Sequence, residues 1–243
     1  MASTKIPSPA SAAEQDYLKQ IYLLQQDRGR ATTQLLADRL GVKPASVTGM
    51  VKRLADDEGG PLVRHTPYHG VELTDRGMAV ALEMLRHHRL IELFLSELLG
   101  MPWDEVHEEA DRLEHVFSER LEDRIAAKLG NPSFDPHGDP IPSRDGVMVE
   151  RELVRLTDLS VGESGSVARL EEQSGPVLQY LESLGLLLGA RVVVDHVAPF
   201  GGVVTVRVDT EKGSVSHALG PDLARGVMLV RPSSSSPGGP PAR

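Results

Sequence analysis

The stretch His107-Glu108-Glu109-Ala110-Asp111-Arg112-Leu113-Glu114-His115 gathers the side chains of this sequence best suited to holding a metal ion. Residues 105–129 contain no Gly or Pro, so the run reads as one helix. At 3.6 residues per turn, positions 107, 111, 114 and 115 fall on neighbouring azimuths and line two imidazoles and two carboxylates along one face. Rise sets a limit: His107 and His115 would lie about 12 Å apart along the axis, at ~1.5 Å per residue, too far to share one ion. One such helix would therefore serve two metals. The competing reading is ordinary solvated polarity, since surface helices are full of Asp and Glu. The preceding segment argues for ligands. His88 and Glu92 stand at i and i+4 in a second helical stretch, residues 75–99, and such a pair presents both groups at a separation one ion can span. His87 points roughly a hundred degrees away, at a surface or packing position.

A chain of 243 residues, 40% of them hydrophobic, can form two or three small domains with real cores. Zero cysteine removes disulfides, thiolate nucleophiles and thiolate metal sites, so any metal must use oxygen and nitrogen. No window approaches ~20 unbroken apolar residues, and the N-terminus, with Pro7 and Pro9 among Ser and Ala, lacks a hydrophobic signal core. The expectation is a cytoplasmic protein with no membrane partner. The net charge of −9 argues against nucleic acid on its face, but the distribution does not. Residues 1–75 hold nine Lys/Arg against nine Asp/Glu, whereas residues 76–130 hold seven against twelve, so the acid lies outside the N-terminal region. Between Arg39 and Arg53 there are four basic residues and no acidic one, enough for a locally positive surface.

That positive stretch falls in a helix-turn-helix layout. After a disordered arm (1–10), Ser11 and Glu14 form a capping-box pair at the head of a helix striped by Tyr17, Leu18, Ile21, Tyr22 and Leu24. Thr32 or Thr33 caps a short helix closed by Gly41, and a second opens at Pro44 with Val47, Val51 and Leu54 on its reverse face. Short extended runs at 62–65 and 70–73 then read as a hairpin, which makes residues 11–74 a winged helix-turn-helix domain. The residues expected to face DNA are Thr33, Lys43, Pro44, Ala45, Ser46, Thr48, Gly49, Lys52 and Arg53, with Arg64 and His69 on or near the wing. Residues 75–143 form a helical domain. Leu90, Ile91, Leu93, Phe94, Leu95, Leu98, Leu99, Val106, Leu113, Val116, Phe117 and Leu121 there are more apolar surface than one helical hairpin can bury, so a second copy is the expected sink. Two-fold pairing would set two recognition helices about 34 Å apart. A linker (144–150) leads to strand-like runs at 151–154, 165–170, 191–196, 202–208 and 227–230 with a helix over 176–184, a small barrel spanning 151–231. Residues 232–243 read as a disordered Ser/Pro/Gly tail. The fold class is mainly α with a small β C-terminal domain.

Over roughly residues 12–230 the chain resembles the metal-dependent repressors of the diphtheria-toxin-repressor class, and specifically their manganese-responsive branch. The stretches that carry the resemblance are Asp16-Tyr17-Leu18 ahead of Ile21-Tyr22, Pro44-Ala45-Ser46-Val47-Thr48, His88-Arg89-Leu90-Ile91-Glu92, His107-Glu108-Glu109-Ala110 running into Glu114-His115, and the loop through Asn131-Pro132 and Asp135-Pro136-His137-Gly138-Asp139-Pro140. The resemblance implies an SH3-like (FeoA-like) C-terminal domain and two metal sites. The primary, activating site would be Asp16, Asp111, Glu114 and His115. The ancillary site would be His88, Glu92 and His107, completed from the C-terminal domain by Glu171 or, as second choice, Glu172. Iron-type members carry Met where Asp16 stands and Cys where Asp111 stands. Some manganese regulators carry an acidic residue where this chain has Lys19.

Carboxylate oxygens with one imidazole make a hard site suited to Mn²⁺, while sulfur would bias toward softer metals. The expectation is a homodimer with two Mn²⁺ per subunit, Fe²⁺ being the alternative, that represses metal-homeostasis genes by binding double-stranded operator DNA once metal is bound. No small organic substrate is implied. Two rivals come from other classes: a metallohydrolase using the same ligands to activate water, and a DNA-binding protein whose acidic helix merely dimerises.

Overall fold

The computed structural model describes residues 11–66, 70–210 and 213–232. The expected arm, the tail beyond Pro232 and the wing tip with His69 lie outside the described residues. The chain divides into two compact units: one takes the chain through Leu95 with His107–Ser133 and Ile141–Val149, the other Ser96–Val106, Phe134–Pro140 and everything from Glu150.

In the first unit, α1 (Ala12–Arg28), α2 (Thr33–Leu40) and α3 (Pro44–Ala55) precede an antiparallel wing of β1 (Val63–Thr66) and β2 (Gly70–Leu73). Glu14 accepts the Ser11 backbone N–H at 3.1 Å, which satisfies one of the donors a helix start leaves orphaned. Thr32 is the cap of α2, its hydroxyl accepting the Leu35 N–H at 3.2 Å. Leu18, Ile21 and Tyr22 of α1 pack with Leu36, Val47, Val51 and Leu54 and with wing residues Val63 and Val71 in one core. Burying Val47, Val51 and Leu54 turns the opposite, polar face of α3 outward.

Thr74 then opens α4 (Asp75–Leu99), its hydroxyl accepting the Gly77 N–H at 3.1 Å. The single helix expected over 105–129 does not form. α5 (Val106–Leu113) runs into one 3₁₀ turn (Glu114–Val116), Phe117 is extended at φ −76°, ψ 113°, and α6 (Glu119–Lys128) starts afresh. The restart has a local cause: the Ser118 hydroxyl accepts the Leu121 N–H at 3.3 Å, and Glu119 and Glu122 favour the positive end of the new helix. The apolar residues expected to need a partner also divide. Leu90, Ile91, Leu93, Leu95 and Val106 are buried within the chain itself, while Leu113, Val116 and Leu121 are exposed.

The second unit is an antiparallel sheet in the order β3-β8-β4-β5-β6-β7, from β3 (Val154–Arg155), β4 (Ser164–Leu170), β5 (Arg191–Val197), β6 (Val204–Thr210), β7 (Gly213–Leu219) and β8 (Val227–Val230). Register shifts at Val167/Arg169 and Val194/His196 mark bulges that curve it. α7 (Gly175–Ser183) and α8 (Pro221–Arg225) flank it. β7 and α8 were not expected, and the strand expected at 151–154 shrinks to two residues. β7 is an edge strand on which only Leu219 is buried, so it lacks the alternation that marks a half-buried strand. Among the described residues no helix is long and apolar enough to cross a membrane.

Gly77 sits in the first turn of α4, where an added Cβ would fall 2.0 Å from the Leu62 carbonyl oxygen. Alanine normally stabilises a helix over glycine by about 1 kcal/mol. Here backbone overlap outweighs propensity, and Gly77→Ala is expected to destabilise the protein by about 1–3 kcal/mol. The check is the urea midpoint, which should fall; a midpoint that holds or rises contradicts the packing argument.

Candidate metal centre

Within the first unit, α1, α4, α5 and the 3₁₀ turn bring two donor clusters together. In one, His88 Nε2, Glu92 Oε1 and His107 Nδ1 lie 3.0 Å from each other in every pairing. In the other, His115 Nε2 is 3.2 Å from Asp16 Oδ1 and 3.8 Å from Glu114 Oε1. Each trio offers oxygen and nitrogen donors all within 4.8 Å, close enough to converge on one cation. The break after Leu113 does not scatter the ligands. It puts Glu114 at 1% exposure and leaves His115 facing α1.

Asp111 is placed differently from its expected partners. Its Oδ1 lies 3.0 Å from Lys19 Nζ and 3.3 Å from His88 Nδ1, so it groups with His88 and Glu114. Glu114 joins the groups: Oε2 is 2.6 Å from His88 Nδ1 and Oε1 is 2.6 Å from Lys19 Nζ. His88 likewise spends one ring nitrogen on Glu92 and the other on Glu114. Gln15 orients the remaining ligand, its Oε1 lying 2.8 Å from His115 Nδ1, which leaves Nε2 toward Asp16.

Electrostatics follow from this crowding. Burial alone would lower the His88 pKa, but Glu92, Asp111 and Glu114 raise it well above the ordinary histidine range. Burial raises Asp16 despite the nearby His115 and Lys19. For Asp111, burial acts upward, but the hydrogen bond to His88 and the charge of Lys19 hold it well below the usual carboxylate range. The surrounding carboxylates thus favour the protonated form of His88, and a metal ion bound there would compete with that proton.

Gln15 and the ion-pairing role of Lys19 are the site features the sequence reading missed. Both flank Asp16 on α1, but their partners lie on distant elements. His87 is a packing residue, with Nε2 3.1 Å from Glu122 Oε2, its ring edge-on to Phe117, and Arg86 paired to the same carboxylate. In the second unit, Glu171 is held by Arg155 at 2.7 and 2.9 Å, and Glu172 accepts the Ser174 N–H at 3.1 Å.

The residues read as DNA-facing line the outer side of α3 and its approach. Lys43, Pro44, Ala45, Ser46, Thr48, Gly49, Lys52 and Arg53 are exposed, as is Arg64 on β1, while Thr33 is half-buried in the first turn of α2. His69 lies outside the described residues. Arg53 Nε is 2.9 Å from Glu14 Oε1, so one basic side chain of α3 is tied to the head of α1.

A winged helix-turn-helix beside convergent oxygen and nitrogen donors defines a class, the metal-responsive DNA-binding proteins. Comparison with known proteins agrees. Residues 10–71 match the iron dependent repressor N-terminal DNA binding domain, 74–143 the iron dependent repressor metal binding and dimerisation domain, and 154–231 the FeoA domain. The chain is 35% identical over 215 residues to the iron-dependent repressor IdeR of Mycobacterium tuberculosis, covering 84% of this chain and 92% of that one. It is 31% identical over 227 residues to the diphtheria toxin repressor of Corynebacterium efficiens, covering 88% and 94%. A solved manganese-dependent transcriptional repressor in complex with manganese superposes with a TM-score of 0.81 at 40% identity, covering 90% and 99%. The chain belongs to the iron-dependent repressor family of metal-dependent, DNA-binding transcriptional repressors, and it is not an enzyme. The hydrolase reading falls with that.

Because an ion held by His88 would compete with its proton, metal binding there is expected to strengthen as pH rises. The sign for the metal-free fold is opposite. With its folded pKa raised, His88 stabilises that fold below the ordinary histidine pKa, and this is lost as pH rises through the raised value. The Mn²⁺-induced gain in melting temperature, which at a hundredfold excess over Kd corresponds to about 2.7 kcal/mol, is therefore expected to be larger at pH ~8 than at pH ~6. Differential scanning fluorimetry checks this, and a gain that shrinks with rising pH contradicts it.

Proposed function

We propose that this chain is a homodimeric repressor activated for operator binding by Mn²⁺, controlling metal-ion homeostasis genes. The observation that carries the reading is the 3.2 Å approach of Asp16, on the first helix of the DNA-reading domain, to His115, which follows the α5 helix of the metal-binding domain. A bound divalent cation would supply the positive charge that lets Asp16, Asp111 and Glu114 share one small volume with His115. Asp16 then anchors α1, and through the shared core of α1, α2 and α3 the recognition helix is held at a fixed place relative to the dimer-forming helices. A coupling of only ~1–3 kcal/mol per site is enough to change DNA affinity by severalfold to a hundredfold.

The donor set favours manganese. Asp16 and Asp111 are hard oxygen ligands and the chain has no cysteine, so nothing in the centre selects for a softer ion. Ferrous iron is the second reading, supported by the 35% identity to an iron-dependent repressor and by affinity order, in which Fe²⁺ exceeds Mn²⁺ at a given site. The His88–Glu92–His107 trio would hold a second ion per subunit. Exposed Leu113, Val116 and Leu121 supply the apolar face for a second copy, and Ser46, Thr48, Gly49, Lys52, Arg53 and Arg64 meet double-stranded DNA. Operator binding of chelator-treated protein with Mn²⁺, Fe²⁺ or no metal tests the reading. Asp16→Ala should lose the metal-dependent part, about tenfold or more in Kd. Unchanged metal dependence in that variant contradicts the bridging role.

Gly49 gives an independent check on the DNA-facing surface. It lies inside α3, where glycine costs about 1 kcal/mol relative to alanine. Yet an added Cβ would meet nothing within 4 Å, so nothing in the chain requires glycine there. Close approach of α3 to DNA accounts for it. Gly49→Ala is expected to raise thermal stability by about 1 kcal/mol while weakening operator binding; an alanine variant that is more stable and binds equally well removes Gly49 from the interface.

A further inference from the structure

Lys19 lies on α1 three residues after Asp16, and only 5% of it is exposed. Lysine is almost never buried unless paired, and here both partners are carboxylates of the candidate centre: Nζ stands 2.6 Å from Glu114 Oε1 and 3.0 Å from Asp111 Oδ1. The oxygen that Lys19 holds on Glu114 is the one that also faces His115, at 3.8 Å. An ion held by Asp16, Glu114 and His115 would therefore share an oxygen with the ammonium. With His88 set against Glu92 at 3.0 Å, Asp16, Asp111 and Glu114 carry three further formal negative charges; Lys19 offsets one, and a single divalent ion offsets the other two.

From this geometry we infer that Lys19 is the resident counter-charge of the primary centre: it brings the site to neutrality with one divalent ion and weakens the grip on that ion, setting the metal concentration at which the site fills. The inference rests on the reading of Asp16, Asp111, Glu114 and His115 as a metal site. It has two physical parts. Without metal, the ammonium keeps Asp111 and Glu114 from repelling one another and so holds the donors assembled. With metal, the same charge repels the ion across a few ångströms of partly desolvated protein, where such terms are larger than in water. Its effect is to make the centre preformed but loose.

The test is Mn²⁺ titration of the full chain, with free Mn²⁺ read by electron paramagnetic resonance, for the parent protein and Lys19→Gln, Lys19→Met, Lys19→Arg and Asp16→Ala. The Asp16-dependent ion is expected to bind about tenfold or more tightly to Lys19→Gln and Lys19→Met, the scale set by removing one nearby charge. Lys19→Arg, which keeps the charge, should stay close to the parent. Melting temperatures add a readout that a purely structural ion pair would not give: the two charge-free variants should melt lower than the parent without metal and regain the difference when Mn²⁺ is added. Equal or weaker Mn²⁺ binding by both charge-free variants, with the His88–Glu92–His107 ion still bound to show an intact fold, overturns the proposal. If Asp16→Ala binds as many ions as the parent with the same affinities, the metal-centre reading itself fails, and that result is independent of the lysine variants.

Discussion

The carboxylate of Glu114 is the group on which the first unit turns. It is 1% exposed, it lies between Lys19 and His88 at 2.6 Å each, and it faces His115. A carboxylate buried this deep needs cationic partners, because the cost of removing charge from water exceeds what any one neutral hydrogen bond returns. Its neighbours come from α1 and α4, so satisfying one charge gathers those helices around the turn after α5. The same requirement bears on how the candidate centre would respond to a divalent ion. Glu92, Asp111 and Glu114 already face an imidazole or an ammonium, so an ion held there would redistribute those partnerships instead of filling a void.

That arrangement resolves the conflict between an acidic chain and an acidic partner. The net charge of −9 is concentrated away from α3, and part of the acid is consumed internally at the centre. The outer face of α3 keeps short polar and basic groups because Val47, Val51 and Leu54 are spent on the core. One side of a twelve-residue helix therefore specifies its placement and the other is free for recognition. The tie from Arg53 to Glu14, two residues before Asp16, adds a direct ion pair between that helix and the helix that carries a proposed metal ligand.

Much of this was readable in the residues. Helical spacing found His88 with Glu92, cap residues marked the starts of α1 and α2, and the short extended runs at 62–65 and 70–73 marked the wing. Family resemblance, not spacing, singled out Asp16, since one acidic residue in a first turn has an ordinary explanation in the helix dipole. The helix break at Phe117 was illegible to a search for Gly and Pro, because its cause is a serine cap with favourable glutamates, a signal weaker than either. Lys19 and Gln15 were hidden for another reason. Their roles depend on residues 92 to 100 positions away, and local periodicity carries no information about which distant carboxylate a buried lysine will meet. The edge strand β7 was missed because exposure on both faces erases the period-two pattern that sheet burial would impose.

The central claim is that one cation is shared between the first helix and the turn after α5. Anomalous diffraction from crystals of the full chain grown with Mn²⁺ tests it most directly. A strong peak is expected bounded by Asp16, Glu114 and His115, and a second among His88, Glu92 and His107. A map in which the ion lies without Asp16, or in which the first position holds no peak at saturating Mn²⁺, would contradict it.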